Sequence, residues 1–194
     1  MTKREMILDA ALTLFSEKGY DGVGVDEIAD KVGMKGPALY YYFKGKEALL
    51  NGLLDAMTEH YAANFGSADR IRRYPETLEE LAEMSLKRLE FTLHDPMIKK
   101  TRKLLIMEQF RNDRCRQMTT YHTCVAVEAM NTVFFRHLLE LGKVKKMDPE
   151  LLAFEFTAPV SILIQLVDRE PEKEPEVWEK IRAHMEHFIQ EYGI

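Results

Sequence analysis

Tyr40, Tyr41 and Tyr42 follow one another in a stretch from Met34 to Lys46 that also carries Lys35, Lys44 and Lys46 and no acidic residue. Phenol hydroxyls donate hydrogen bonds and ammonium groups neutralise anions, so a local charge of +3 on a chain of net charge −5 marks a place where a polyanion can bind. A helix beginning near Gly36 would add free N–H groups directed at the same kind of target. Other chemistry is thin. There is no Gly-rich phosphate loop, no Gly-x-Ser-x-Gly and no His-Glu-x-x-His motif, so neither an enzyme nor a resident cofactor is expected. His122 and Cys124 would diverge on a helix, while His184 and His187 can share a face but lack a third ligand, so no metal site is expected either.

Helical elements must position those tyrosines. Pro37 suits the first turn of a helix, because it has no N–H to leave unsatisfied and its φ is already helical. Leu39 and Phe43, four apart, then share a face that enters a core, Ala38, Tyr41 and Tyr42 project elsewhere, and Tyr40 sits at the edge. Upstream, Val25, Ile28, Ala29 and Val32 line one face of a second helix, and Gly33 follows where a left-handed cap residue belongs. Two helices joined by so short a turn make a helix-turn-helix. A first helix opens with the capping-box pattern of Thr2 and Glu5, buries Ile7, Ala11, Leu14 and Phe15, and stops at Gly19.

Residues 4–50 resemble the DNA-binding domain of the TetR family of bacterial transcriptional regulators. The resemblance rests on Ala10-Ala11-Leu12, Leu14-Phe15, Glu17-Lys18-Gly19-Tyr20, Val25 with Ile28-Ala29, Val32-Gly33, Leu39-Tyr40, and Phe43-Lys44 with Lys46-Glu47-Ala48-Leu49-Leu50. It covers about a quarter of the chain. Carried over position by position, it implies that Lys35, Gly36, Pro37, Ala38 and Tyr41 lie near base edges and that Tyr40, Tyr42 and Lys46 lie near phosphates. The chain departs from the family at Val23, Gly24, Lys35 and Gly45, where the pattern usually has hydroxyl residues. Phosphate contacts must therefore shift, and sequence is expected to be read by Lys35 on guanine, by Pro37 or Ala38 against thymine methyls, and by DNA shape.

Residues 1–50 hold seven Lys/Arg and eight Asp/Glu, so this domain is not globally basic and relies on its local patch. A hydrophobic content of 46% is ample for a core. Asp9 interrupts any leader-like run, and the apolar stretch from Phe156 to Val167 is short and contains Thr157, Pro159, Ser161 and Gln165. A cytoplasmic protein with no membrane segment is expected, with Cys115 and Cys124 as two unbridged, buried or half-buried thiols. The expected fold is all-α: a three-helix DNA-binding domain over residues 1–48 and a helical ligand-binding and dimerisation domain over 49–194. A long helix from Lys46 links them, and the turn-rich stretch 64–70 marks its end.

The remainder reads as helix throughout. Leu78, Leu81, Ala82, Leu86 and Leu89 recur at helical spacing, Asp95-Pro96 and Asp148-Pro149 open further helices, and one long helix spans about Asn112 to Leu141. Lys99, Lys100, Arg102 and Lys103 form a solvated face, a second phosphate contact, or a contact back to the DNA-binding domain. Met84, Leu105, Met107, Phe110, Tyr121, Val125, Met130 and Phe134 make a Met-rich, aromatic set; periodicity says only core, and the resemblance implies a cavity for a small hydrophobic effector. Pro159 is expected to kink the apolar helix after Pro149, and an acidic loop over Asp168 to Glu176 precedes a last amphipathic helix. The resemblance implies that these two helices build a homodimer, with Phe156, Val160, Leu163, Ile181, Met185 and Phe188 at its interface. The implied function is a repressor that binds a palindromic operator as a dimer and is released by the effector. The alternative is a DNA-binding protein of the same fold whose C-terminal domain contacts a protein partner.

Overall fold

The structure, a computed structural model, describes residues 1–65, 71 and 73–194. In chain order the helices are α1 (Lys3–Lys18), α2 (Val25–Lys31), α3 (Gly36–Tyr42), α4 (Lys46–Phe65), α5 (Leu78–His94), α6 (Pro96–Glu108), α7 (Asp113–Thr120), α8 (Ala126–Glu140), α9 (Pro149–Arg169) and α10 (Glu174–Tyr192). A π-turn, Tyr121–Val125, joins α7 to α8, and a 3-10 turn, Pro171–Lys173, precedes α10. No strand occurs among the described residues. The chain is all-α, with an N-terminal helix-turn-helix followed by a helical C-terminal part. The turn expected over 64–70 lies outside the described residues beyond Phe65.

The chain divides into two compact units, each drawn from two stretches of sequence. The first joins Met1–Asn64 to His94–Thr119; the second joins Phe65–Leu93 to Thr120–Ile194. The first unit thus takes in most of α4 together with α6 and α7, because these helices cover faces that the three small helices leave bare.

In the first unit, Thr2 and Glu5 form the reciprocal capping box at the start of α1, at 3.2 and 2.8 Å. The chain leaves α1 at Gly19 with φ +76°, a conformation that favours glycine. Ile98, Leu104 and Leu105 of α6 are buried, and α6 packs along α1. Of the lysine cluster on α6, Lys100 turns back to α1: its Nζ donates to Thr13 Oγ1 at 2.9 Å and lies 3.9 Å from Asp9. Asp95 caps α6 by accepting from Met97 and Ile98 N–H, each at 3.0 Å, and also takes His60 Nε2 of α4 at 2.9 Å. Arg114 of α7 reaches Asn51 and Asp55 of α4 at 2.9 and 2.5 Å. Cys115 is buried, and burial first and the Glu108 carboxylate second push its thiol up to about 11; Cys124, against expectation, is exposed.

The second unit closes around an aromatic ladder. Phe135 and Phe156 lie 5.6 Å apart between ring centroids, Phe156 and Phe188 5.0 Å, and Phe188 and Tyr192 4.5 Å. The helix expected from Asn112 to Leu141 is interrupted by the π-turn. In place of the acidic loop, α10 begins at Glu174. α9 runs through Pro159 without a break and is longer than its apolar stretch implied. By length and composition it could cross a membrane, at a mean hydropathy of 1.6, and 28% of its most apolar window is buried. Leu152, Ala153 and Phe156 of α9 enter the unit's core while the opposite side stays open.

Candidate nucleic-acid interface

α3 is locked from inside and open outside. Leu39 and Phe43 are buried, whereas Lys35, Pro37, Ala38, Tyr40, Tyr41, Tyr42 and Lys44 are exposed and Gly36 is half-buried. Tyr41 is the most exposed of the three tyrosines at 82%, and its ring meets that of Tyr42 edge-on at 5.1 Å. An aromatic side chain standing in water is spare surface for a partner.

Phe43 supplies the lock. The Arg4 guanidinium lies 5.1 Å above its ring, and Gly52 of α4 brings bare backbone against the same ring. A Cβ added at Gly52 would stand 3.0 Å from Phe43 Cε1, which is tighter than ordinary packing. At the other end of α3, a Cβ on Gly36 would fall 2.0 Å from Asp26 Oδ1 of α2. Glycine there lets α2 and α3 approach. It also sets a carboxylate beside the first turn of α3, and Ala38 N–H is already used by Lys35 C=O at 2.9 Å. The free N–H groups expected at this end are therefore reduced, and anion binding falls to the side chains.

Lys35 and Lys44 make no ion pair with the described residues, unlike Lys18, which pairs with Glu27 at 2.5 Å. Lys46 is half-buried and partly engaged: its Nζ lies 4.4 Å from the Tyr20 ring centroid and 3.4 Å from Asp21 C=O. Tyr20, Asp26, Arg4 and Gly52 thus shape the site, and neither their types nor their spacing announced it, since each acts across a tertiary contact. Among the described residues, no group of three or more His, Cys, Asp or Glu side chains could hold a metal ion.

The eight residues expected to line one cavity are dispersed. Met130 and Phe134 lie in the core of the second unit with half-buried Met84 against it. Leu105 is buried in the first unit, Met107 is partly exposed there, and Phe110 is 90% exposed beyond the end of α6. Tyr121 and Val125 are exposed on the π-turn, whose wider turn rotates them off the buried stripe of α8. The residues expected at the dimer interface take the following places within the protomer. Phe156, Ile181, Met185 and Phe188 fill the core of their own unit, with Val160 and Leu163 at its margin, because a buried stripe does not say which surface buries it. The outward side of α9 carries Leu151, Phe154 and Ile162, exposed by 44, 54 and 66%.

Residues 7–53 match the family described as bacterial regulatory proteins, tetR family. The biofilm operon icaADBC HTH-type negative transcriptional regulator IcaR of Staphylococcus epidermidis is 29% identical over 126 residues, which span 50% of this chain and 68% of that relative. IcaR of Staphylococcus aureus is 50% identical over 46 residues, 24% of this chain and 25% of that relative, so that likeness concerns a short segment only. Among solved structures, SmeT, the repressor of the Stenotrophomonas maltophilia multidrug efflux pump SmeDEF, superposes with a TM-score of 0.73 at 19% identity, over 100% of this chain and 92% of SmeT. Its complex with triclosan gives 0.71 at 19% identity, over 98 and 91%. At that identity the likeness shows a shared fold.

Proposed function

We propose that the chain, whose residues 7–53 match the tetR family of bacterial regulatory proteins, is a cytoplasmic TetR-family repressor that binds a near-palindromic operator as a homodimer and is released by a small hydrophobic effector. The observation that carries the DNA-binding part is the division of α3, with Leu39 and Phe43 anchored in the core and Lys35, Pro37, Ala38, Tyr40, Tyr41 and Tyr42 presented outward. Two such helices, one per protomer, enter successive major grooves, and Lys35 with Ala38 and Tyr41 meets base edges while Tyr40, Tyr42 and Lys46 meet phosphates. IcaR and SmeT, a negative regulator and a repressor by name, support repression over activation.

Leu151, Phe154, Ala158 and Ile162 recur at three- and four-residue spacing on the open side of α9, a face that a second copy can cover by two-fold pairing. The small-molecule reading draws on the interior of the second unit. Buried Asn131 donates its amide to Thr157 Oγ1 at 2.8 Å and leaves its amide oxygen without a protein partner. A buried acceptor in that state costs about 1–3 kcal/mol, which a hydrogen-bonding effector would relieve. The effector acts by population shift, favouring a dimer whose α3 helices are out of register with the two half-sites.

Fluorescence anisotropy with the DNA upstream of the protein's own coding sequence, across a salt series and against scrambled DNA, tests the reading. Selective binding at two protomers or a multiple per site is expected. Lys46→Ala should weaken binding to all sequences alike, and Lys35→Ala should also relax selectivity; equal effects would refute this division of roles. Absence of selectivity at every salt concentration would refute operator binding at this DNA.

A further inference from the structure

Glu108 is the last residue of α6, is 4% exposed, and lies 88 positions along the chain from the residue it grips. Its Oε1 accepts the Tyr20 N–H at 2.9 Å, and a Cβ on Gly19 would stand 3.2 Å from the same oxygen. A carboxylate this deeply buried is costly unless a hydrogen bond holds it in place. The corner between α1 and α2 is therefore shaped to receive it: bare glycine lets the carboxylate in, and the next N–H binds it.

The grip passes onward. The Tyr20 ring rests against buried Phe15, with centroids 5.4 Å apart, and Lys46 Nζ sits 4.4 Å from the same ring. Lys46 also donates to Asp21 C=O at 3.4 Å, one residue past Tyr20. The first residue of α4, a short turn beyond α3, is thus seated on the corner that Glu108 fixes. Lys100 on Thr13 and Arg114 on Asn51 and Asp55 tie α6 and α7 to the middle of α1 and α4, but Glu108 reaches the end that carries the reading helix.

We propose that Glu108 is a positioning residue for DNA binding: its carboxylate holds the Tyr20 corner, and the corner seats Lys46. The proposal rests on the operator-binding reading above. Beyond Glu108 the chain continues through α7 and crosses into the second unit between Thr119 and Thr120, just before the π-turn.

The test is operator binding by the full-length protein carrying E108A, E108Q, K46A or E108A with K46A, measured across a salt series well below each melting temperature, together with amide exchange at Tyr20. E108A is expected to bind about ten- to hundredfold more weakly and to speed Tyr20 exchange. Its log affinity against log salt should be shallower by about 0.9, the value of one lost phosphate contact. E108Q, whose amide oxygen can accept the same N–H, should stay within a fewfold of the parent. In the double variant the two losses should not add, because both act through Lys46. Where E108A does not fold, E108D, which draws the carboxylate back by one methylene, takes its place and should show a smaller loss of the same kind. Parental affinity in E108A, equal impairment in E108Q, or additive losses would overturn the proposal. Failure of the parental protein to select any operator would instead overturn the operator reading, and this inference with it.

Discussion

In the homodimer proposed above, replacing Phe154 by alanine is expected to separate the protomers while leaving each folded. Phe154 is 54% exposed on α9, so of the roughly 200 Å² that a phenylalanine can bury, about 110 Å² remains for a partner. A two-fold interface buries the same ring twice, giving about 220 Å², or about 5 kcal/mol at roughly 25 cal/mol per Å². Alanine retains its own β-carbon and a ring is rarely covered completely, so about half of that is a realistic loss. At about 1.4 kcal/mol per tenfold, the dimer dissociation constant should rise about a hundredfold. Sedimentation equilibrium over a wide range of protein concentration reads this directly. Phe156→Ala is the contrast: its ring is packed on Phe135 and Phe188, so the substitution should cost about 3–5 kcal/mol of folding stability and move the urea midpoint. Dimer affinity should be unchanged among its folded molecules. An unchanged dissociation constant for Phe154→Ala, or a larger rise for Phe156→Ala at matched folded fraction, would refute this assignment of the two faces.

Gly52→Ala sets two effects against each other: alanine favours a helix interior by about 1 kcal/mol, but its Cβ would meet Phe43 Cε1 at 3.0 Å and Arg4 Nη2 at 3.4 Å. Overpacking costs about 1–3 kcal/mol, so a net loss of about 1 kcal/mol in urea unfolding is expected, and a gain would show that the Phe43 ring yields freely. Asp95 gives a pH dependence. Burial raises its carboxyl, but hydrogen bonds from His60 and from the Ile98 and Met97 N–H groups outweigh burial and hold it below its ordinary value of 3.8. A depressed folded value means that the stability it contributes is present above that ordinary value and is lost as pH falls through the lower folded one. Asp95→Asn should therefore flatten the acid limb of urea midpoint against pH, and an unaltered limb would exclude this carboxyl as a source of it.

The reading head was legible where physics is local. Thr2 and Glu5 sit at capping-box spacing, Gly33 follows α2 with φ +68°, and Leu39 with Phe43 marks the inner face of α3. What escaped depends on which surfaces meet. Ile181, Met185 and Phe188 show a stripe that must be buried, and the same stripe would serve an intramolecular or an intermolecular partner. Phe110 reads as lining because phenylalanine is usually covered, yet it lies past the last turn of α6, where helical period no longer assigns a face. Glu108 reads as an ordinary surface acid, and only the fold brings it to Tyr20.

Because the first unit is drawn from two separate stretches of chain, it is not complete until residues 94–119 have been synthesised. α1 to α4 emerge well before residues 94–119, so the side of α1 that α6 will cover waits through the synthesis of α5, which belongs to the other unit. A cut at residue 48 or 64 is therefore expected to bare the side of α1 that α6 covers. A chimera that keeps its solubility and its grip on DNA must carry α6 and α7 across with it.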